Sequence, residues 1–446
     1  MTVPPVPVTN SVDNSTPAIP STPLTPSLPL LGFAPEEFQA RRKALRQICP
    51  EGILLIRGAT EDEVVKPATF QQNSMFFYLT GVETPGAFLV LLPDGVSALA
   101  GFRHMAGNPR ELLFLPARNP QTELWMGPRL GPGEETEKAT GIEKVLDTQT
   151  LWGALTGWLR RCSIVGTITP YGELAQTTRE YALMQHIARL APATQFRDIS
   201  SCIAQLRLIK SPAEIARIGQ AIAVTAEGQR EARTLITEGA GRYEYEVEAA
   251  IFREFRSRGA RQAFATIVGG GHNATVLHYE DNHHVLREGE LVVVDIGAEV
   301  DHYCGDLTRT YAVGGTLSPR QQEIYSLVNA AFQHTITEYR PGEESLKSLD
   351  EKCKAFLNAS SLRALDADSK EQTMKAFMPH GLSHHLGLDV HDVIASADRE
   401  ALLQPGNVIT VEPGLYIASE GIGVRLEHDF LVTATGLERL GPDLEM

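Results

Sequence analysis

Apolar and polar positions repeat at different periods along the chain, and each change of period marks an element. In EEFQARRKALRQI, from Glu36, apolar residues recur at helical spacing among charged ones. ILLIRG, from Ile53, and GAFLVLLPDG, from Gly86, are short apolar runs closed by glycine, the pattern of buried strands. TLWGALTGWLRRC, from Thr150, returns to the helical period. This alternation, running from Glu36 to about Ser200, predicts an α/β domain over residues 32–206. In LRLIKSPAEI, Ser211 can cap a helix, Pro212 suits its first turn and Glu214 completes a capping box. A second domain is therefore expected over residues 207–446.

Two segments of that second domain look like copies. Residues 289–297 read GELVVVDIG and residues 406–414 read GNVITVEPG: a turn glycine, a buried strand, an acid (Asp295 or Glu412), then glycine again. An acid ending an apolar strand is costly unless it is paired or metal-bound, and here it recurs at the same place. Two more acids follow on later strands, Asp306 in CGDLTRTYAV and Glu427 in GVRLEHDFLV. Ser318 and Pro319 echo the helix start at Ser211 and Pro212. The pattern predicts an α+β domain with an internal pseudo-twofold repeat, each half giving two carboxylates to a shared centre.

Composition narrows the partners. The chain of 446 residues is 43% hydrophobic and 21% charged, as expected of a globular protein large enough for two domains. Its formal charge of −15 argues against nucleic acid or an anionic membrane surface. Cys49, Cys162, Cys202, Cys304 and Cys353 are odd in number and form no CxxC pair, which fits reduced thiols in a cytoplasmic protein. Residues 1–31 are rich in Pro, Ser and Thr, with neither the basic start nor the long apolar run of a targeting signal, and read as a disordered tail. No apolar run approaches the roughly 18 residues of a membrane span.

Four carboxylates converging in an apolar setting repel one another and take up protons, so they call for compensating positive charge. Two divalent cations supply it. Oxygen ligands with one imidazole suit Mn²⁺, Co²⁺, Fe²⁺ or Zn²⁺. The candidate imidazole is His384, in HGLSHHLGLDVHD from His380, where glycines and spaced histidines suggest a loop leading into a strand.

Beyond the tail, the chain resembles aminopeptidase P and prolidase, the proline-specific branch of the pita-bread metallopeptidases. The resemblance rests on QQNSMFFYLTGVETPGAFLVL and ELWMGPRLG in the first domain and, in the second, on TIVGGGHNATVLHYEDN, VVDIGAEVDHYCGDLTRTYAV, HGLSHHLGLDVHD, VEPGLYI and GVRLEHD. It implies a dinuclear site, most readily of Mn²⁺, with Asp295 on one metal, Asp306 and Glu427 bridging, and His384 and Glu412 on the other. It also implies that Glu412 is the proton acceptor, that His278 lies near the N-terminal side of the scissile bond and that His391 holds the scissile carbonyl. His380 is expected to shape the pocket for the residue after the bond, and Arg425 to pair with the site carboxylates or orient substrate. VGGGHNA, without the context of a phosphate cradle, reads as a mobile site loop. His283, His284 and His302 are expected on a solvated rim, while His385 and His428 depart from the family pattern and leave the pocket's finer shape open.

The expected activity is hydrolysis of the bond between an N-terminal residue and a penultimate proline in peptides. Beyond Arg425, no cation signals the carboxylate clamp of a strict Xaa-Pro dipeptidase, and the connection over residues 417–421 is short enough to leave room for longer substrates. The rivals are that dipeptidase, methionine aminopeptidase, which lacks such a first domain, and a metal-free pita-bread hydrolase or binding protein, which would have lost its ligand residues. The resemblance further implies a homodimer or homotetramer in which Trp125 helps a neighbouring subunit cover the active-site mouth.

Overall fold

The computed structural model describes residues 32–63, 70–102, 105–170, 175–392 and 399–444. The tail expected over residues 1–31 lies outside them. A six-stranded mixed sheet forms the N-terminal part, from β1 (Ile53–Arg57), β2 (Phe88–Leu91), β3 (Glu111–Leu115), β4 (Lys144–Asp147), β5 (Ile164–Thr167) and β6 (Gln195–Asp198), in the order β4-β3-β2-β1-β5-β6. The two apolar runs read as strands are β1 and β2, paired antiparallel. Successive side chains of a strand point to opposite faces, so both faces of β1 are apolar. Ile53 and Leu55 pack with Phe114 and Trp158, whereas Leu54 and Ile56 join Phe38, Phe76 and Phe77. That second cluster continues through Ile218, Ile222, Tyr303 and Leu307, so one apolar core crosses from the N-terminal sheet into the C-terminal part.

The C-terminal part opens at the predicted cap. Ser211 Oγ accepts from Glu214 N, the Glu214 carboxylate accepts from Ser211 N, and helix Pro212–Thr237 follows. That helix and helix Glu244–Ser257 pack on an antiparallel sheet of Ile267–Gly270, Leu291–Ile296 and Leu307–Ala312. The second half repeats the plan with helices Pro319–Thr337 and Leu346–Ala359 and strands Val408–Val411, His428–Val432 and Leu437–Arg439. Ser318 caps its first helix as Ser211 caps the other. The halves are sewn together by Glu427 N donating to Thr308 O and by Thr310 Oγ1, which donates to Arg425 O and accepts from Arg425 N.

Two local expectations change. VGGGHNA begins as strand Ile267–Gly270 and passes into a tight turn over Gly271–Thr275, anchored by the buried Glu244 carboxylate, which accepts from Gly270 N, Asn273 Nδ2, Tyr279 Oη and His284 N. The hairpin of Gly414–Ile417 and Ile422–Arg425 packs so closely on this turn that a Cβ at Gly423 would collide with the Ala274 carbonyl. Among the described residues the loop expected over residues 380–392 forms no strand of its own; it lies along Val408–Val411 through the bridge of His385 to Ile409, with Leu386 N donating to Val408 O, Thr410 N to His384 O and Glu412 N to Leu382 O. Among the described residues no helix is long and apolar enough to cross a membrane.

Candidate metal centre

Each acid of the repeat stands at a strand end facing the junction of the halves: Asp295 late in Leu291–Ile296, Asp306 just before Leu307–Ala312, Glu412 just after Val408–Val411, and Glu427 just before His428–Val432. Ligand atoms of Asp306, His384 and Glu427 lie within 4.8 Å of one another. His384 Nε2 is 3.6 Å from Asp306 Oδ2 and 3.7 Å from Glu412 Oε1. Asp295 Oδ2 accepts from Arg425 Nη2 at 2.6 Å, and Glu427 Oε2 from Thr308 Oγ1 at 2.6 Å. The other oxygens of the two aspartates, Asp295 Oδ1 and Asp306 Oδ1, are buried and have no hydrogen-bond partner among the described residues.

The electrostatics are those of a centre built for cations. Burial and then the Glu427 charge push the carboxyls of Asp306 and Glu412 far above the usual range, and burial with Asp295 pushes Glu427 up to about 8. His384 is held neutral, its pKa lowered to about 3 by burial and then by His391. Its Nδ1 donates to His385 O at 3.0 Å, which leaves the Nε2 lone pair directed at the acids. Oxygen donors, a neutral imidazole and orphaned carboxylate oxygens together fit divalent metal.

A cavity of about 860 Å³ opens over this centre. His278, His380, His391 and Arg425 all line it, as do Gln71 and Ser74 from the N-terminal part. His391 lies with its ring 4.3 Å from that of His384. Arg425 is committed to protein partners: besides Asp295, its Nη1 donates to Tyr416 Oη at 2.7 Å, and its Nε to Thr308 Oγ1 at 3.2 Å. Since His380 Nδ1 donates to Gly381 O, its Nε2 accepts from Tyr416 Oη at 3.0 Å.

Sequence reasoning missed Tyr416, Thr308 and Arg399. The tyrosine lay within VEPGLYI; the threonine and Arg399 carried no signal, looking like an ordinary strand and surface residue. Arg399 lines the cavity beside Gly381, reaches Ser383 O at 3.4 Å and makes no ion pair among the described residues.

His302 is a correction. It is 6% exposed rather than on a solvated rim, with its ring stacked 3.9 Å from Phe77 and hydrogen-bonded to Glu83. A tight hairpin tip, with Asp301 and His302 at positive φ, drives it into the N-terminal part. His283 is exposed and His284 half-buried against Glu290. Neither His385 nor His428 lines the cavity. His428 is buried, donating from Nε2 to Leu440 O and facing Arg309 through Nδ1, so its departure from the family pattern leaves the pocket wall untouched.

Two mirrored halves that close carboxylates and an imidazole around one buried point, under a cavity, define a pita-bread metallohydrolase with a dinuclear divalent-metal centre. The chain belongs to metallopeptidase family M24, whose profile matches residues 216–434, while residues 38–166 match the aminopeptidase P N-terminal domain. It is 36% identical over 430 residues to a Xaa-Pro aminopeptidase of Escherichia coli K12, covering 91% of this chain and 94% of that one. Aminopeptidase P from E. coli, solved with the inhibitor Pro-Leu, superposes with a TM-score of 0.77 at 33% identity, over 92% of this chain and 95% of that one. Proline aminopeptidase P II from Yersinia pestis gives 0.78 at 35%, covering 92% and 96%.

Proposed function

We propose that this metallopeptidase releases the N-terminal residue from peptides with proline at the second position, using two divalent ions held by Asp295, Asp306, His384, Glu412 and Glu427. The observation that carries this reading is the convergence of acids with orphaned oxygens on a neutral His384 at the base of the cavity, in a chain similar along nearly its whole length to a Xaa-Pro aminopeptidase. When bound, the ions polarise the scissile carbonyl and make water nucleophilic near neutral pH. Mn²⁺ suits this oxygen-rich donor set, with Co²⁺, Zn²⁺ and Fe²⁺ as alternatives.

The side chains divide the remaining work. Glu412 takes the proton of the attacking water. His391, whose pKa burial lowers, is a neutral donor for the oxyanion that develops on the carbonyl. His278 borders the first residue, and His380, fixed by Tyr416, borders the proline. Arg425 holds Asp295 in place and leaves substrate to others. A proline amide has no N–H to anchor, so its ring must be recognised by shape. The cytoplasm is the compartment that keeps the five free cysteines reduced.

The Xaa-Pro dipeptidase reading has one observation in its favour: Arg399 is a cavity cation without a carboxylate partner among the described residues, suited to a free C-terminal carboxylate. Against it, the turn over residues 418–421 is short and the cavity is open. Comparing kcat/KM for Gly-Pro, Gly-Pro-Ala and Gly-Ala-Ala with one metal decides. Gly-Pro-Ala is expected to match or exceed Gly-Pro, with Gly-Ala-Ala poor. Cleavage of Gly-Pro alone would make the enzyme a dipeptidase, and comparable cleavage of Gly-Ala-Ala would remove the proline requirement.

A further inference from the structure

The connector between the two parts of the chain sends two cations into the loop that carries the site histidines. Arg207, in helix Ser200–Leu208, and Lys210, just beyond it, are almost wholly buried. Arg207 Nη2 donates to Asp392 Oδ1 at 2.5 Å and to Asp389 Oδ2 at 2.7 Å, and Lys210 Nζ donates to Asp392 Oδ2 at 2.8 Å. Asp389 Oδ1 accepts from Ser74 Oγ at 2.6 Å, which ties the same loop to the N-terminal part. Two cations and two carboxylates balance: Arg207, Lys210 and Asp392 are buried, while Asp389 lies at the edge of the cluster with its side chain 43% exposed. The fit is close, since a Cβ at Gly387 would come within 2.6 Å of Asp392 Oδ2.

A buried ion cluster gains little net stability over apolar packing of the same volume, because desolvating the charges offsets their attraction. What it does provide is fixed geometry. Both oxygens of Asp392 are taken by cations, and its backbone N–H donates to His385 O at 2.9 Å. The residue before it is His391, the cavity imidazole beside His384. Its backbone is therefore pinned immediately on its C-terminal side, although the loop has almost no regular structure.

We propose that Arg207, Lys210 and Asp392 form a positioning device for His391, through which the connector sets the imidazole against the scissile carbonyl. The inference rests on the reading of the site given above. None of the three acts on substrate directly.

The test is a double-mutant cycle together with a structure. Asp392→Asn keeps the shape and removes the charge. It is expected to lower kcat on Gly-Pro-Ala at least about tenfold, with KM and bound metal nearly unchanged, because small misplacements of a catalytic group cost rate steeply. In a His391→Ala background the same substitution should cost less than about twofold, since nothing is left to position. A crystal structure of metal-loaded Asp392→Asn should show the His391 ring displaced from His384 by about 1 Å or more. An unmoved ring, or fully additive losses, would overturn the proposal. If Asp392→Asn does not fold, Lys210→Gln runs the same cycle and structure. A wild-type enzyme unable to cleave Gly-Pro-Ala would sink the functional reading, while the ring position would still decide this one.

Discussion

In the mechanism proposed above, Glu412 is the proton acceptor. Its Oε1 lies 3.7 Å from His384 and its Oε2 3.7 Å from His380, and burial with the neighbouring acids gives it a strong appetite for a proton. Glu412→Gln preserves the shape and removes both the charge and the basic oxygen. We expect kcat on Gly-Pro-Ala to fall at least about a hundredfold with little change in KM. Steady-state kinetics returning near-normal turnover would move the base elsewhere. The acids were legible in the sequence because a charge ending an apolar strand is anomalous, and the anomaly recurs in both repeats. Tyr416, Thr308 and Arg399 were not, because a tyrosine or threonine in a strand and an arginine among polar neighbours are ordinary until their contacts are known.

At the scale of elements, the loop over residues 380–392 has no helix or strand of its own among the described residues, and ion pairs at Asp389 and Asp392 add to its backbone hydrogen bonds with Val408, Thr410 and Glu412. This has a consequence in acid. Burial alone would raise the Asp392 carboxyl, but Lys210 and Arg207 outweigh it and hold its pKa at about 2. A carboxyl whose folded pKa lies below its ordinary value of about 3.8 stabilises the fold above that value. The contribution, roughly 2 kcal/mol, fades as the pH falls from about 4 towards 2. Urea unfolding of wild type and Asp392→Asn over that range should show a steeper loss in wild type; parallel losses would mean that this pair of cations does not hold the carboxyl down. Helix starts, by contrast, were readable from local chemistry: Ser211, Pro212 and Glu214 do as a capping box what their spacing predicts.

At the scale of the whole molecule, the apolar core shared by the sheet and the C-terminal helices joins the two parts, while the metal site joins the two halves. Four converging carboxylates, Asp306 and Glu427 buried and Asp295 and Glu412 half-buried, repel one another without cations, so exhaustive chelation should abolish activity and lower the Tm, and Mn²⁺ or Co²⁺ should restore both. Calorimetry showing an unchanged Tm, with full activity and no metal by elemental analysis, would refute the dinuclear reading. Assembly is a second question at this scale. Leu124, Trp125 and Met126 are 83%, 80% and 59% exposed on the short helix Pro120–Met126, an apolar cluster that one chain leaves uncovered. We propose that a second copy covers it, in a homodimer or homotetramer. Light scattering at micromolar concentration should find that assembly, and a fully active monomer would exclude it.

The sequence by itself determined what is local or repeated: strand and helix periods, caps and the doubled glycine-strand-acid motif with Asp295 and Glu412, while the full set of five proposed ligands came from the family resemblance of its motifs. Each leaves a mark within about a dozen residues, because periodicity and capping are properties of neighbours along the chain. Only the tertiary structure decided which distant groups meet. It carried His302 into the N-terminal part rather than to a rim, turned His428 away from the cavity, joined Arg425 to Tyr416 and Asp295, and brought Arg207 and Lys210 to Asp392, more than 180 residues away. A buried charge must find its partner wherever the chain crossing places one, and spacing along the sequence carries no record of that crossing.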